Sequence, residues 1–514
     1  MAPPQGSYLS KRGYVLRKEY LSADEYIHVK TELRGRPLED KNYHFYGHTD
    51  TSYPLYTETK NKLYIPKMYG LQRYGQPQSK LANYIGLPFV NDISFNGTLF
   101  DYQIEATDAL YKELTTGSGG GILQMYTGGG KSCSALNVLS RLGGKTIIVV
   151  NKIPLMKQWQ SEIAKFLPNA QVGIIQGGKK VDVVGKDIVI AMLQSLAKID
   201  YPEEVLNDFR VTLVDEVHNT SSRVFSGVLT KLCSQYTIGL SATPKRSDGC
   251  EYVFKWFLGD VVHAVTSERK GLEPIVQTIK LNSKDYKEIS TENKITGAKV
   301  IQFTSMLTEL VAMESRNKLI ISTIKKCIGE GRKLLVMSDR REHIKTIKLM
   351  LDKDAAVTFT YGMFLGQMKI TDLEKAKASQ CILATYAAFG EGVSERDLDT
   401  LLLVTPKKFI GHLKNTTKHE SGRLEQIVGR IFRKEHEERN PLIIDFQDNF
   451  SVYKNQARQR NAFYKSHFTN VTIQPSAFDL DDQKWTKALP EEPAPDNNIE
   501  SQLGALLSTH CLLD

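Results

Sequence analysis

The sequence is poor in cysteine and has no long apolar segment. Its 514 residues include six cysteines, and no two of them form a C-x-x-C pair. They stand at Cys133, Cys233, Cys250, Cys327, Cys381 and Cys511. This scatter excludes a disulfide framework and the usual zinc sites, and it favours a reducing compartment. Apolar runs such as Thr146–Val150 and Leu401–Val404 are far shorter than the ~18 residues of a membrane-spanning helix, so we expect no membrane partner.

The start of the chain, MAPPQGSYLSKRGY, also lacks the apolar stretch of a secretory signal, so we expect an intracellular protein. What the chain has in excess is positive charge, with a net value of +9. From Val471 to the end, however, two lysines face eight acidic residues, a balance of −6 that leaves +15 for the residues before it. A basic body with an acidic end suits a polyanionic partner. An ordinary enzyme with a pI of 8.9 explains the charge equally well.

Residues 1–95 differ in composition from the rest of the chain. They hold 12 of the 23 tyrosines, and many of these stand near Lys or Arg, as in the segment Asn61–Gly75. Helical periodicity is weak, which predicts short strands and turns. Tyrosines between cations can stack on bases while the cations contact phosphates. A small β-rich module packed on the next domain explains the same composition, so the role of this accessory domain stays open.

From residue 96 onward, short β-branched runs alternate with helical stretches. Continuous apolar runs indicate strands that are buried on both faces, hence mostly parallel sheets. The runs of a first series, within a domain at 96–270, are Ile122–Met125, Thr146–Val150, Val172–Ile175, Asp187–Met192, Val211–Val214 and Thr237–Leu240. The runs of a second series, within a domain at 316–470, are Lys333–Met337, Ala356–Tyr361, Cys381–Ala384, Thr400–Val404 and Leu442–Asp445.

The sequence thus predicts an α/β protein with two parallel-sheet domains in tandem. The polar, mixed segment at 271–315 is interpreted as a linker or insert. A basic helix at Tyr453–Lys465 is expected to close the second domain. Residues 471–514, with their acidic and proline-rich composition, are expected to form a flexible tail.

A glycine loop follows the first strand of the first series. Gly128–Gly130 lead directly into Lys131 and Ser132, where a helix is predicted to begin. Glycines let backbone N–H groups close around phosphate oxygens, and the helix N-terminus adds partial positive charge. Lys131 would reach the β- and γ-phosphates of a nucleotide, and the Ser132 hydroxyl would bind Mg²⁺. The longer form of this motif has glycine where this chain has Met125, so only its G-x-G-K-S core is met.

Two acidic residues follow another strand of the same series. Asp215 and Glu216 come directly after Val211–Val214, and ligands of open α/β sheets sit at the carboxyl ends of strands. Asp215 would hold Mg²⁺ through its water shell, while Glu216 would orient and deprotonate the attacking water. His218 could couple the nucleotide to a second site. Acidic residues often follow strands, so the pair indicates a nucleotide site only in combination with the glycine loop.

Two further clusters suit the sensing of a γ-phosphate. Ser241 and Thr243 end the next strand and could hydrogen-bond the acidic pair. Gln426, Arg430 and Arg433 stand at i, i+4 and i+7, which lines one face of a helix. Arginine binds phosphate oxygens bidentately and stays charged, although a surface salt-bridge helix would show the same spacing. Arginines reaching over from the second domain would place the nucleotide in a cleft that opens and closes with hydrolysis.

Taken together, these motifs resemble those of superfamily-2 helicases and translocases with tandem RecA-like domains. The resemblance is nearest to the XPB-like branch and its relatives in large DNA viruses, such as the poxvirus transcript-release helicase, and covers about residues 98–450. It rests, in chain order, on Leu99–Gln103, Thr127–Ser132, Asn151–Trp159, Met192–Ser195, Asp215–His218 (the D-E-V-H form of motif II), Ser241–Thr243, Val336–Arg340, Leu383–Gly392 and Gln426–Arg433. XPB itself carries Arg-Glu-Asp where this chain has Arg246–Asp248.

The resemblance implies a role for each motif residue. ATP contacts fall on Gln103, Thr127, Gly128, Gly129, Gly130, Lys131 and Ser132, and Mg²⁺ contacts on Ser132 and Asp215. Catalysis falls on Lys131, Asp215, Glu216, Gln426, Arg430 and Arg433, and coupling on His218, Ser241 and Thr243. Contacts with a nucleic-acid strand fall on Lys152, Gln194, Ser195 and Thr385.

The function implied is that of an ATP-dependent DNA helicase or translocase that moves 3′ to 5′. The partner would be single-stranded or duplex DNA, with RNA as an alternative, and transcription machinery is a further expected partner. The process served would be transcription or repair, in the nucleus or, for a viral protein, in the virion or host cytoplasm. Two other interpretations stay open, an RNA helicase on the same core and a nucleotide-switched scaffold without motor activity. A nuclease is disfavoured because no separate acidic cluster with a lysine is evident.

Overall fold

The structure is a computed structural model, and it shows an N-terminal module followed by two α/β lobes. It describes residues 3–37, 52–126, 128–219, 222–242, 249–265, 272–292, 299–389, 397–407, 422–432, 436, 438–468 and 470–486. Among these residues, none of the helices combines the length and the apolar character needed to cross a bilayer. Two sheets of eight strands each form the centres of the two lobes. The predicted fold class, α/β with two tandem parallel-sheet domains, is confirmed.

The N-terminal module has a five-stranded sheet in the order β5-β6-β2-β1-β7. The strands of this sheet are β1 (Tyr8–Ser10), β2 (Gly13–Arg17), β5 (Thr57–Glu58), β6 (Lys62–Ile65) and β7 (Ser79–Lys80), and β3 (Arg34–Gly35) and β4 (Tyr53–Pro54) form a separate two-stranded sheet. Its helices are α1 (Ala23–Glu32), α2 (Lys67–Tyr74) and α3 (Ala82–Ile85). Short strands and turns were expected here, whereas the helices α1 and α2 were not. Helix α1 has a local signal. Its N-cap Ser22 accepts a hydrogen bond from Glu25 N, a local signal that outweighs the weak periodicity.

The first lobe has the strand order β11-β10-β12-β9-β13-β14-β8-β15, parallel except for β11. Its strands are β8 (Gly120–Met125), β9 (Thr146–Val150), β10 (Val172–Gln176), β11 (Lys180–Val181), β12 (Ile188–Met192), β13 (Val211–Val214), β14 (Tyr236–Ser241) and β15 (Val261–Val265). Its helices are α4 (Asp101–Thr116), α5 (Lys131–Leu142), α6 (Ile153–Phe166), α7 (Leu193–Lys198), α8 (Glu203–Leu206), α9 (Ser222–Leu229) and α10 (Glu251–Leu258). All five residues of β9 are buried, with Ile147 and Ile148 in separate clusters on opposite faces, as a sheet covered on both sides requires.

The second lobe has the strand order β20-β21-β19-β22-β23-β16-β24-β25, parallel except for β25. Its strands are β16 (Ile275–Asn282), β19 (Leu334–Ser338), β20 (Tyr361–Phe364), β21 (Cys381–Thr385), β22 (Thr400–Leu403), β23 (Leu442–Asp448), β24 (Thr472–Asp479) and β25 (Lys484–Thr486), with a separate hairpin of β17 (Ser290–Glu292) and β18 (Lys299–Ile301). Its helices are α11 (Phe303–Ala312), α12 (Glu314–Gly329), α13 (Arg341–Lys353), α14 (Ile370–Ala378), α15 (Tyr386–Phe389), α16 (Gly422–Val428) and α17 (Ser451–His467).

Three expectations for the second lobe need correction. Strand β16 falls in the segment interpreted as a linker, yet it pairs with β23 and β24 over its whole length. Strand β24 falls in the expected acidic tail, where Ala477 and Phe478 are buried although the surrounding composition is acidic. The strand predicted at Ala356–Tyr361 begins only at Tyr361. In each case the strand is stabilised by neighbours distant in sequence, which local patterns do not reveal. The rest of the expected tail, 487–514, lies outside the described residues.

Candidate active site

The glycine loop joins β8 to α5 with two residues in the left-handed region. Gly128 has φ 94° and Gly130, the N-cap of α5, has φ 83°. Lys131 is the first residue of α5, and its Nζ donates to Met125 O at 3.3 Å. The same Nζ lies 3.8 Å from Glu216 Oε1. The loop therefore brings a helix N-terminus and an ammonium group next to the Glu216 carboxylate.

Gln103 of α4 forms a hydrogen bond with the glycine loop. It is 4% exposed, and its Nε2 donates to Gly129 O at 3.0 Å. A Cβ at Gly130 would stand 2.2 Å from that Nε2, so a larger residue would displace the end of the Gln103 side chain and would also strain the left-handed backbone. Ser132 follows Lys131 in the first turn of α5. Thr127 lies outside the described residues.

The two acidic residues lie at the carboxyl end of β13 and differ in their surroundings. Asp215 is 8% exposed, and its Oδ2 accepts a hydrogen bond from Trp159 Nε1 at 2.9 Å. Burial, followed by repulsion from the neighbouring Glu216 carboxylate, raises the pKa of Asp215 above its ordinary value, and the Trp159 indole and Lys131 oppose this rise. A bound cation would favour the charged form of Asp215 more strongly than the Trp159 indole and Lys131 do.

Glu216 stands in a strained backbone conformation. Its φ is 49°, which costs a non-glycine residue about 1–2 kcal/mol and is kept only where the surroundings hold it. Its Oε2 is shielded from solvent and accepts no hydrogen bond from the residues that the structure describes, with His218 Nδ1 3.5 Å away. A buried carboxylate oxygen with spare acceptor capacity suits a general base that holds a water molecule.

His218 connects the acidic pair with the next strand. Its Nδ1 forms a hydrogen bond of 2.8 Å with the Ser241 hydroxyl at the end of β14. The expected contact between Ser241 and the acidic pair therefore runs through the His218 ring. Thr243 and the Arg246–Asp248 stretch lie outside the described residues.

These groups fit a nucleoside triphosphate and a divalent cation. The Lys131 ammonium, 3.8 Å from Glu216 Oε1, and the N-terminus of α5 suit phosphate oxygens. Ser132 and Asp215 are oxygen donors of the kind that Mg²⁺ accepts. Bound Mg²⁺ would neutralise charge that develops on the phosphates during their hydrolysis. The chain itself supplies the oriented carboxylate of Glu216 and the cation of Lys131.

The residues expected to meet nucleic acid follow two neighbouring strands. Lys152 is the N-cap of α6, just after β9, and Gln194 is exposed at the start of α7, just after β12. Strands β9 and β12 pair directly, and Gln194 Nε2 donates to Asn151 O at 2.8 Å. Ser195 accepts a hydrogen bond from Gly177 N at 2.8 Å, so its hydroxyl also orders the neighbouring turn.

All these groups lie along one edge of the sheet. The carboxyl ends of β12, β9, β13, β14 and β8 are adjacent in that order. They bear, in turn, Gln194, Lys152, the acidic pair, Ser241 and the glycine loop. The acidic pair therefore lies between the loop and the residues expected to contact nucleic acid.

In the second lobe, the expected arginine helix is not one continuous α-helix. Helix α16 ends at Val428, and Gly429–Phe432 form a 3₁₀ turn, so Arg430 does not belong to the same α-helix as Gln426. Gly429 explains the change, because glycine disfavours a continuing α-helix. Arg430 in this turn is 4% exposed. The side chain of Gln426 and all of Arg433 lie outside the described residues.

Thr385 is placed differently from the other expected strand contacts. It is 5% exposed at the end of β21, and its hydroxyl accepts a hydrogen bond from Ala388 N at 3.3 Å. The hydroxyl thus caps the short helix α15, and reaching a nucleic-acid phosphate would require it to become more exposed.

Trp159 is the residue of this site to which sequence reasoning gave no role. It lies within the quoted stretch Asn151–Trp159 and is 1% exposed. A tryptophan on the apolar face of a helix reads as core packing. Its N–H, which usually finds a partner when buried, was the available signal, but the partner Asp215 is distant in sequence.

Comparisons with known proteins identify a family model and relatives of this chain. A family model described as "Type III restriction enzyme, res subunit" matches residues 96–246. "Putative ATP-dependent RNA helicase L396" of Acanthamoeba polyphaga mimivirus is 31% identical over 466 residues, which cover 90% of this chain and 86% of that protein. "Putative helicase 161L" of Invertebrate iridescent virus 6 is 27% identical over 399 residues, which cover 73% of this chain and 82% of that protein.

A solved structure shares the fold. The fragment structure of a putative HsdR subunit of a type I restriction enzyme from Vibrio vulnificus YJ016 covers 76% of this chain and 71% of its own, with 14% identity and a TM-score of 0.50. The sequence relatives carry the family assignment. The chain belongs to the superfamily-2 helicases, is related to those of large DNA viruses, and hydrolyses ATP with Mg²⁺.

Proposed function

We propose that this helicase is a DNA translocase whose ATPase is stimulated by the strand on which it moves 3′ to 5′, and that it serves transcription or repair, in the virion or host cytoplasm if the protein is viral. The observation that supports coupling of hydrolysis to a nucleic acid is the order of groups along the first-lobe edge, whereas DNA as substrate and the 3′-to-5′ direction are what the motif resemblance implies. Lys152 follows β9, the strand next to β13 with its Asp215 and Glu216, and Gln194 follows β12, one strand further away. A shift of bound nucleic acid would therefore be transmitted to the acidic pair over one or two strand spacings of about 4.8 Å each.

A direct covalent connection also supports the proposal. Lys152 begins α6, and Trp159 lies two turns further along the same helix, where its indole contacts Asp215. A nucleic-acid strand that displaces the start of α6 would therefore move Trp159 and, through its hydrogen bond, Asp215, which is assigned to Mg²⁺. Strand contacts of this kind carry little sequence information, so we expect weak sequence preference and a steep salt dependence of binding.

The proposal is tested by measuring ATP hydrolysis without polymer and with single-stranded DNA, duplex DNA or RNA. We expect single-stranded DNA to stimulate turnover most, and we expect the enzyme to displace a strand from a duplex with a 3′ tail but not with a 5′ tail. Turnover unaffected by every polymer would contradict motor activity and favour a nucleotide-switched scaffold.

An RNA helicase is the second candidate, and the names of the relatives favour it. The mimivirus relative is named as an RNA helicase, as is QP509L of African swine fever virus, which is 25% identical over 391 residues covering 71% of this chain and 72% of that protein. The same assay decides between the two, because stronger stimulation by RNA than by DNA would replace the first candidate with the second.

The role of the second lobe is tested at Arg430. If its guanidinium completes the site when the lobes close, Arg430→Ala should lower kcat by about 10³ and leave the affinity for ATP nearly unchanged. The matched control is Arg439→Ala, at an exposed position of the same lobe. A loss of ATP affinity with unchanged kcat would assign Arg430 to the bound ground state instead.

A further inference from the structure

The sheet of the N-terminal module has one face in the protein core. Leu9, Tyr14, Leu16, Leu63 and Ile65 are at most 1% exposed and belong to a hydrophobic cluster that continues into the first lobe. Side chains alternate between faces along a strand. The other face of this sheet therefore points away from the first lobe.

That outer face carries two tyrosines in one row across three strands. The register pairs Tyr8 of β1 with Val15 of β2, and Val15 with Tyr64 of β6. The next row pairs Arg17 with Lys62. Both tyrosines are half-buried, whereas Val15 between them is 0% exposed, so the row is packed at its centre and exposes part of a tyrosine on each side.

One cation lies over each ring, and Arg12, which also donates to Thr57 Oγ1 at 3.1 Å, covers one side of the Tyr64 ring. The Arg12 guanidinium lies 4.0 Å from the centroid of the Tyr64 ring, and Lys62 Nζ lies 5.6 Å from that of Tyr8. Arg17 has 47% of its side chain exposed, and Glu19, 3.5 Å away, is the acid paired with it. We define the platform as Tyr8, Arg12, Arg17, Lys62 and Tyr64, which together carry three positive charges.

The module is attached to the end of the first lobe that lies opposite the ATP site. The buried Lys67 Nζ donates at 2.9 Å to Gly119 O, just before β8, and at 2.9 Å to Gln235 O, just before β14. Lys11 donates to Phe209 O, which precedes β13. These are amino ends of strands whose carboxyl ends bear the glycine loop and the acidic pair. A strand of six residues is about 20 Å long, so the attachment points are separated from the catalytic edge.

We infer that the platform binds a single-stranded segment of the nucleic-acid substrate. This site is separate from the edge of the first lobe at which a bound strand stimulates ATP hydrolysis. Aromatic rings on a sheet stack on unpaired bases, and flanking cations contact the phosphates between them. A duplex keeps its base faces stacked inside, so it suits this surface less well. The inference rests on the proposed function in one respect, namely that the substrate is a nucleic acid.

Two anchor points on one polymer have a mechanical consequence. A segment held on the platform stays with the module, while the segment at the catalytic edge is moved by the lobes. The platform would therefore add affinity for polymers long enough to reach both sites, through effective concentration, without changing the turnover of a motor that is saturated with a short strand.

The experiment compares binding of a short and a long single strand, of about 10 and about 60 nucleotides, given that one site spans roughly 4–16 nucleotides. The variants of the intact chain are Arg12→Ala with Lys62→Ala, and Tyr8→Ala with Tyr64→Ala. Affinity is measured by fluorescence anisotropy over a range of salt concentrations. The matched control is Lys345→Ala, which removes an exposed cation of α13 in the second lobe.

For the long strand, we expect the double tyrosine variant to lose affinity by about tenfold or more for each lost base stack. The double cation variant should show a salt dependence that is shallower by about 0.7 for each lost phosphate contact. Tyr8→Phe with Tyr64→Phe should bind like the wild type, because the stacking surface remains and the fold is preserved. ATPase stimulation by saturating short strand should stay unchanged in all of them.

The inference is overturned if the platform variants bind the long strand with the affinity and salt slope of the Lys345→Ala control. In that case, stimulation by nucleic acid would still uphold the proposed function. If the wild type neither binds nucleic acid nor responds to it, the proposed function fails instead. If the platform variants kept wild-type binding of nucleic acid but lost binding of an acidic protein, the inference would also be overturned. The platform would then be assigned to protein recognition.

Discussion

The two lobes both place aspartate at the carboxyl ends of parallel strands, but they neutralise it differently. In the second lobe, Asp448 ends β23 and accepts hydrogen bonds from Arg316 Nε at 2.9 Å and Nη2 at 3.0 Å, with both side chains fully buried. In the first lobe, Asp215 has the uncharged Trp159 indole as its hydrogen-bond donor. The bidentate Arg316 neutralises the charge of Asp448, so this carboxylate has a structural role. The Trp159 indole orients Asp215 without neutralising it, so its negative charge can attract a cation. We therefore expect the aspartate at the end of β23 to serve stability and the aspartate after β13 to serve chemistry.

Glu216→Gln tests the chemical side of the comparison and has the largest expected effect. The amide keeps the shape of the side chain but cannot accept a proton, so turnover should fall by roughly 10²–10⁴ while ATP binding is kept. Steady-state hydrolysis and equilibrium nucleotide binding measure the two quantities. The control is Glu330→Gln, an exposed glutamate of the second lobe, and wild-type turnover in Glu216→Gln would contradict the role of general base.

Asp448→Asn tests the structural side. Breaking a buried ion pair leaves the Arg316 charge uncompensated, which should lower the free energy of unfolding by about 3–5 kcal/mol, as measured by urea denaturation. The kcat per folded molecule should not change. Asp215→Asn is the matched substitution, and it should abolish turnover at little cost in stability. The comparison would be broken if both variants lost stability by the same amount.

Trp159→Phe sharpens the comparison by removing only the donor to Asp215. Phenylalanine keeps an aromatic ring in the core but has no N–H, so the carboxylate is less firmly oriented. We expect the Mg²⁺ concentration for half-maximal hydrolysis to rise about tenfold, the equivalent of one hydrogen bond to a charged group, with a smaller change in the KM for ATP. Trp256→Phe, in the aromatic cluster with Tyr69 and Tyr252, is the control, and an unchanged Mg²⁺ dependence would make Trp159 a packing residue.

His343 gives the smallest expected effect and belongs to the second lobe. Its ring is 1% exposed and contacts Ser338 Oγ at 3.0 Å and Asn317 Oδ1 at 2.9 Å, and burial, assisted by Arg316, lowers the pKa of His343 to about 3. The unfolded chain takes up a proton near pH 6.5 and the folded lobe does not, so stability falls as the pH drops from about 6.5 towards 3. Between pH 7 and 6, this group should cost about 0.7 kcal/mol.

The measurement is the free energy of unfolding at a series of pH values. His343→Gln removes the titrating group and should remove this part of the pH dependence, leaving that of the carboxylates. A wild-type curve that does not differ from the variant between pH 7 and 5 would contradict the assignment.

Much of the core fold follows from the sequence, because local patterns report strands that are buried on both faces. The runs at Thr146–Val150 and Val211–Val214 form strands with those bounds. The grouping of Lys131 with Asp215 and Glu216 follows from one topological rule, that the carboxyl ends of parallel strands share an edge. The nucleotide roles of these residues remain predictions that the variants above test.

What sequence reasoning missed depends on partners distant in the chain. Strand β16 has mixed polarity, and only pairing with β23 and β24 on its two sides makes it central. The left-handed φ of Glu216 has no sequence signal in a residue other than glycine. The hydrogen bond of Trp159 crosses from one helix to a neighbouring strand end, which no spacing rule anticipates.

The central position of β16 determines how the molecule can be divided. The first sheet ends with β15 at Val265, and the second begins with β16 at Ile275, well before the helices of its own lobe. A recombinant fragment starting near residue 316 would lack this strand and expose the facing edges of β23 and β24, which are open to pairing with other chains. A fragment starting near Leu272 would retain the full sheet. Dissection of the two lobes should therefore cut between β15 and β16.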